Sequence, residues 1–185
     1  MNKTVKIFEN FLTNSLFVKT QNKANEIIKN PYVGLSRTNF AWPTSIIKAS
    51  TPVIVKDIDK TDELYKELKQ EIEEKTGWEV LNIMIYYWTK LSYIPWHEDP
   101  GLNAGFSLYL NETWDKDWGG YFMYELEEGQ IKALIPTRNT AVIQEGNVPH
   151  SVSTINMDSE IRISLQVFFD NKIKYDKFYS NRKRN

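Results

Sequence analysis

Three residues with metal-binding side chains occur in two short segments of a chain that has only two histidines. His97 and Asp99 lie in the segment YIPWHEDPG, and His150 lies in NVPHSV. Alternate residues of an extended segment point to the same side, so His97 and Asp99 can face one ion. Two histidines and one carboxylate form the facial ligand set of non-heme Fe(II) sites, which leaves other coordination positions open. The long segment before His150 has room for several strands that would bring it back to the pair.

The last apolar segment, EIRISLQVFFD, places a cation in a strand with one apolar face. The other side of this strand carries Arg162, Ser164, Gln166 and Phe168. A polar side that faces solvent is the simpler interpretation, just as an exposed loop histidine is the simpler one for His97 alone. Between two packed sheets, however, a buried guanidinium needs an anion, and its planar fork suits a carboxylate. A dicarboxylate would then bind the metal at one end and Arg162 at the other.

Two helices are predicted before the strands that would position these residues. A short strand over residues 5–8 precedes a helix over residues 14–30. The second predicted helix covers residues 61–76, with Thr61 as its N-cap and Gly77 as its stop. It has an apolar stripe at a spacing of four residues, which is typical of a core-facing side. The stripe consists of Leu64, Leu68 and Ile72.

After Gly77, short apolar and β-branched segments separated by turn residues predict about eight antiparallel strands. These lie near residues 78–88, 92–96, 105–110, 120–126, 131–135, 139–144, 149–154 and 160–169. A mainly β fold with flanking helices (α+β), as in a sandwich or jelly roll, is therefore predicted. Residues 37–45 have the composition of a loop. The chain is predicted to form one domain, with a flanking part over residues 1–77, a core over 78–170 and a tail over 171–185.

The composition is that of an ordinary globular chain and argues against several kinds of partner and site. A length of 185 residues is enough for one domain with a full core. The formal net charge of -1 gives no basic surface for nucleic acid or an acidic membrane. The absence of cysteine excludes disulfides, thiolate zinc sites and iron–sulfur clusters. No apolar segment reaches the ~20 residues of a membrane span, and Glu9 interrupts the N-terminal apolar stretch, so a cytoplasmic location is expected.

The motifs occur in the order found in a known enzyme family. They are YYWTKLSYIPWHED, FSLYLNETWDKDWGGYFMYE, IPTRNTAVIQEGNVPHSV and RISLQVFFD. The segment from Ile83 to Asp170 thereby resembles the Fe(II)/2-oxoglutarate-dependent dioxygenases, most closely their prolyl-4-hydroxylase branch. This resemblance covers about half of the chain. It implies a double-stranded β-helix, the jelly roll of that family.

The resemblance also implies roles for individual residues. Fe(II) would be held by His97, Asp99 and His150, with O2 as the oxidant and ascorbate as an optional supporting reductant. Arg162 would bind the distal carboxylate of the co-substrate 2-oxoglutarate. Three further residues are implied to contact the co-substrate, namely Tyr87, Tyr109 and Ser164. The presence of Asp99 argues against the related halogenases, which lack this carboxylate.

For the substrate, the resemblance implies a prolyl residue in a protein or peptide. The aromatic segment 40–42 and Trp96 would form a groove for an extended chain. A related oxygenase that hydroxylates a small free substrate, such as an amino acid, is the alternative. A nucleic-acid demethylase is less well supported, because Phe168 stands where that branch would have a second arginine. The alternative of another class is a non-catalytic β-sandwich binding module. Two tryptophans near the motifs, Trp114 and Trp118, suit either core packing or a substrate wall.

Overall fold

The computed structural model describes the backbone of residues 3–29, 36–41, 50–99 and 102–172, and side chains within residues 3–29, 53–99 and 102–170. Most of the aromatic segment predicted to form a groove lies outside these ranges, since Trp42 and the side chain of Phe40 are not described. The same holds for nearly all of the predicted tail. The candidate metal ligands and Arg162, and nearly all of the two predicted helices, lie inside the described residues.

The helices are α1 (Asn14–Lys29) and α2 (Glu63–Thr76), and a short 3-10 turn covers Lys116–Trp118. The strands before α2 are β1 (Thr4–Phe8), β2 (Ser36–Ala41) and β3 (Ser50–Asp57). The strands after α2 are β4 (Trp78–Trp88), β5 (Ile94–His97), β6 (Ala104–Tyr109), β7 (Phe122–Glu125), β8 (Ile131–Leu134), β9 (Ala141–Glu145), β10 (His150–Val152) and β11 (Arg162–Lys172). Each of these later strands overlaps one of the predicted segments. None of the described helices is long and apolar enough to cross a membrane.

The strands form two antiparallel sheets that pack face to face. The larger sheet has the order β1-β9-β6-β11-β4-β3-β2, and the smaller sheet has the order β5-β10-β7-β8. From β4 onwards the chain passes back and forth between the two sheets. Residues of both sheets meet in the core between them, for example Trp88 with Ile94 and Val152. The predicted jelly roll is therefore confirmed.

Strand β4 shows how the sequence produces this layered structure. Its residues Ile83, Ile85 and Tyr87 belong to the core cluster under the helices. The residues between them face the smaller sheet, among them Tyr86 and Trp88. A strand buried on both faces needs a nearly continuous apolar run, and the segment IMIYYW supplies it.

Helix α2 confirms its predicted apolar stripe and its stop, but its first turn differs from the prediction. The stripe residues are buried between the helix and the larger sheet. Gly77 adopts φ 70, the left-handed conformation of a C-cap. Asp62, and not Thr61, is the N-cap, because its carboxylate accepts a hydrogen bond from the Leu64 amide at 3.0 Å. The Thr61 hydroxyl instead donates to Asp59 Oδ1 at 2.8 Å. The predicted Thr61 cap is therefore wrong by one residue.

The larger sheet also contains two strands that the sequence did not predict. Residues 37–45 were expected to be a loop, yet β2 occupies their first part and pairs with β3. Strand β3 in turn pairs with β4. These two strands extend the larger sheet beyond β4, and Val53 and Val55 add to the core between the sheets.

Candidate metal centre and co-substrate cavity

The three predicted metal ligands come together between the two sheets. Strands β5 and β10 pair with His97 opposite His150, and their ring centroids are 4.2 Å apart. Asp99 follows β5, with Oδ1 at 3.7 Å from His97 Nε2 and Oδ2 at 3.6 Å from His150 Nε2. One ligand atom from each residue lies within 4.8 Å of the others. A single ion can therefore contact all three side chains.

Backbone carbonyl groups orient both imidazole rings. His97 Nδ1 lies 2.8 Å from the Pro95 carbonyl oxygen, and His150 Nδ1 lies 2.8 Å from that of Val148. Since a carbonyl only accepts, each Nδ1 carries the hydrogen and donates it, which leaves the Nε2 lone pair directed at the site. Burial, together with the neighbouring His97, lowers the pKa of His150. Both effects favour the neutral imidazole that binds a metal.

A cavity extends from this cluster through the space between the sheets. Its lining includes the three candidate ligands and Arg162. Gln144 lies beside Asp99 and pairs across the sheet with Gly105, which stands opposite Phe168, so Arg162 lies six residues away along β11, at the other end of the cavity. The walls between these ends include Tyr86, Trp88, Phe122, Gln166 and Phe168. A metal-binding end is thus joined to a cationic end by largely aromatic walls.

At the cationic end, Arg162 and Tyr109 are buried with unused hydrogen-bonding groups. The Arg162 side chain lies against two rings, with its guanidinium carbon 5.1 Å from the Trp88 centroid and 4.9 Å from that of Tyr109. Arg162 Nε and Nη1 and the Tyr109 hydroxyl have no hydrogen-bond partner among the described residues. Burial lowers the pKa of Arg162 and raises the pKa of Tyr109, and their mutual proximity opposes both shifts. A buried cation with free donors is suited to an anionic ligand.

The two other residues predicted to contact the co-substrate, Tyr87 and Ser164, lie on opposite faces of the larger sheet. Tyr87 faces the helices, where its hydroxyl donates to the Ala24 carbonyl of α1 at 2.8 Å and burial raises its pKa. The expected contact of Tyr87 with the co-substrate is corrected accordingly, because the neighbouring Tyr86 is the β4 tyrosine that lines the cavity. Ser164 lies on the same strand face as Arg162. Its hydroxyl oxygen accepts a hydrogen bond from Trp88 Nε1 at 3.1 Å.

Of the three tryptophans near the site, two pack against each other and one is partly exposed. Trp114 packs against the core cluster that contains Trp88 and Ile155. Its Nε1 donates to the Gly119 carbonyl at 2.9 Å, and its ring meets Trp118 at a centroid distance of 5.2 Å. Packing is thus the interpretation that the structure supports for this pair. Trp96, next to His97, is 43% exposed and is not among the described residues that line the cavity.

Gln144 of β9 is a further residue at the metal end that was not predicted from the sequence. Its Nε2 lies 3.1 Å from Asp99 Oδ2 and 3.2 Å from His150 Nε2. The one signal in the sequence is a polar residue inside the apolar strand AVIQE, six residues before His150.

No protein-family model matches the sequence, and no curated protein does. Among solved structures, a prolyl-4-hydroxylase from Pseudomonas putida matches with a TM-score of 0.70 and 19% identity, over 90% of this chain and 92% of that one. The fold is that of the prolyl hydroxylases. 

Two further structures with the prolyl-hydroxylase fold support this likeness. A prolyl hydroxylase from Trichoplax adhaerens, in complex with a peptide fragment of the hypoxia inducible factor oxygen degradation domain, matches with a TM-score of 0.71 and 14% identity, over 89% of this chain and 82% of that one. The viral collagen prolyl hydroxylase of Paramecium bursaria Chlorella virus-1, in complex with 2-oxoglutarate, matches with a TM-score of 0.61 and 10% identity, over 89% and 94% of the two chains. At these identities the likeness establishes the fold, so the activity must be argued from the site residues.

Proposed function

We propose that the protein is an Fe(II)- and 2-oxoglutarate-dependent hydroxylase. The observation that carries this proposal is the convergence of His97, Asp99 and His150 at one end of a cavity whose other end holds Arg162. Imidazole and carboxylate groups suit Fe(II), and three ligands on one face leave coordination positions for other molecules. The buried donors of Arg162 and Tyr109 that lack partners in the described chain fit the distal carboxylate of 2-oxoglutarate.

Within this proposal each part of the chain has a defined task. Fe(II), when bound, supplies the chemistry by which O2 oxidises 2-oxoglutarate to succinate and CO2 and inserts one oxygen atom into a C–H bond of the substrate. Arg162 binds the distal carboxylate through its buried guanidinium N–H donors, and Tyr109 donates its hydroxyl hydrogen to the same group. Ser164 can donate its hydroxyl hydrogen there as well. The aromatic walls exclude water from the bound co-substrate.

For the substrate, we propose a prolyl residue in a protein or peptide. Among the described residues that line the cavity, Asp99 and Arg162 are the only charged ones, and both are already assigned. The ammonium and carboxylate groups of a free amino acid would therefore have no partner there. The sequence offers two arginines, Arg37 and Arg138, as partners for these groups. Arg138 pairs with Glu112 and lies over the ring of Phe17 in α1, and the side chain of Arg37 lies outside the described residues. A proline in a peptide is neutral and has a fixed φ, so it loses little entropy on binding. The Trichoplax adhaerens enzyme, which was solved with a peptide, lends further support.

The proposal is tested by incubating the protein with Fe(II), O2 and 2-oxoglutarate and measuring succinate. Proline-containing peptides and a panel of free amino acids are compared as substrates, and mass spectrometry detects the gain of one oxygen atom. We expect succinate formation coupled to peptide hydroxylation, and its loss in His150→Ala. Coupled turnover with a free amino acid and none with any peptide would establish the alternative substrate class. If the protein neither binds iron nor forms succinate, it is instead a non-catalytic binding module.

A further inference from the structure

Gln144 makes hydrogen bonds to two of the three candidate ligands, and the chemistry of these partners fixes the orientation of its amide. The Asp99 carboxylate can only accept hydrogen bonds. His150 Nε2 also accepts, because its Nδ1 donates to the Val148 carbonyl. The Gln144 NH2 group has two hydrogens and reaches both acceptors, at 3.1 Å and 3.2 Å. The opposite orientation would place the amide oxygen against the carboxylate.

The neighbouring strand leaves space for this amide. Gly105 of β6 stands directly opposite Gln144 of β9. A Cβ atom at position 105 would lie 2.9 Å from Gln144 Nε2 and 3.3 Å from its Cγ, so a larger residue would displace the side chain. Glycine inside a strand weakens it and often marks a close approach. Here the close approach is that of the Gln144 amide to the candidate ligands.

We propose that Gln144 is a positioning residue that binds the oxygen of Asp99 not used by the metal. This inference rests on the proposed metal site. An ion held by the three ligands would take the His150 lone pair, so the hydrogen bond to Asp99 Oδ2 is the one that persists. With Oδ2 held by Gln144, Asp99 presents Oδ1 alone to the ion. Asp99 then occupies a single coordination position, which leaves the others open for co-substrate and O2.

The test uses Co(II) binding to the full chain, followed by visible absorption, which reports both affinity and coordination. Gln144→Met keeps the length of the side chain and removes its donors. We expect it to weaken Co(II) binding by about 10–100-fold, the usual effect of losing a group that orients a ligand, and to change the absorption bands. Gln166→Met is the matched control, since Gln166 lines the same cavity but accepts from the Ser107 hydroxyl at 2.8 Å. It should leave Co(II) affinity and spectrum unchanged.

Gly105→Ala gives a second, independent route to the same result, because it displaces an intact Gln144. Its effect on Co(II) binding should match that of Gln144→Met, and the double variant should lose no more than either single one. A wild-type protein that does not bind Co(II) would refute the proposed metal site itself. A wild-type protein that binds Co(II), with Gln144→Met folded and unchanged in affinity and spectrum, would overturn only the role of Gln144. An equal loss in Gln166→Met would also overturn it.

Discussion

Arg162 is 1% exposed, yet two of its nitrogen atoms have no hydrogen-bond partner in the described part of the chain. The rings of Trp88 and Tyr109 lie against the guanidinium and offset some of its desolvation. They do not satisfy its N–H donors. The arrangement is one that a carboxylate would complete, and it lies at the far end of the cavity from the candidate metal ligands.

Replacing Arg162 should weaken 2-oxoglutarate binding far more than metal binding. In Arg162→Ala the distal carboxylate would be buried without its charged partner, which costs about 2–5 kcal/mol. Arg162→Lys should recover part of this loss, because the charge returns without the planar fork. Tyr109→Phe should cost less, about 1–3 kcal/mol, since it removes one neutral donor. Calorimetric titration of the Mn(II)-loaded variants with 2-oxoglutarate measures these differences. Unchanged affinity in Arg162→Ala would contradict the assignment.

The residues of the site differ in how far the sequence alone could predict them. The pair His97 and Asp99 forms a local motif, so its shared orientation follows from strand geometry. Tyr87 was expected at the cavity, but the run IMIYYW is apolar on both faces and its alternation therefore gives no indication of which tyrosine faces inward. Gln144 contacts the ligands only through strand pairing, which no local pattern contains.

At the scale of elements, the turn before β7 supports the position of Arg162. Gly119 and Gly120 have φ values of 68 and 66, a conformation that favours glycine. A Cβ atom on Gly120 would lie 3.0 Å from Arg162 Cδ and 3.1 Å from Ile155 Cγ1. The turn therefore packs directly behind the arginine, with Trp114 beside it.

Gly120→Ala should disturb 2-oxoglutarate binding through this turn. The added methyl group would strain the left-handed backbone by about 1–2 kcal/mol and would also push Arg162. Gly129→Ala is a matched control, because Gly129 has φ 77 but no atom within 4 Å of an added Cβ. Both variants should lose stability in thermal unfolding, whereas only Gly120→Ala should lose affinity for 2-oxoglutarate. Equal affinities in the two variants would show that the turn does not position Arg162.

The elements themselves were predictable to different degrees, for physical reasons. Helix α2 has a clear apolar stripe, but two capping residues stand side by side before it, and only the structure shows that Asp62 binds the Leu64 amide. Strand β2 has the polar sequence SRTNFA and lies at the edge of the larger sheet, so its formation depends on pairing with β3 rather than on its own pattern. Strands β4 and β11 have long apolar or alternating runs, which explains why they were predicted.

For the whole molecule, the two ends of the cavity belong to different sheets. His97 and His150 lie on β5 and β10 of the smaller sheet, and Asp99 follows β5 directly. Arg162 and Tyr109 lie on β11 and β6 of the larger sheet. A metal ion would therefore link groups of the smaller sheet and its adjoining loop. A dicarboxylate bound to that metal would join the two sheets.

This division predicts separate effects of metal and co-substrate on thermal stability. Mn(II) alone should raise the unfolding temperature, and adding 2-oxoglutarate should raise it again. At a concentration of about 100 times its Kd, a ligand contributes about 2.7 kcal/mol, which for a chain of this size corresponds to about 5–10 °C. Arg162→Ala should keep the Mn(II) increment and lose the 2-oxoglutarate increment, whereas His97→Ala should lose both, because the co-substrate needs the metal. A 2-oxoglutarate increment that persists in His97→Ala would mean that the dicarboxylate binds without bridging the sheets through the metal.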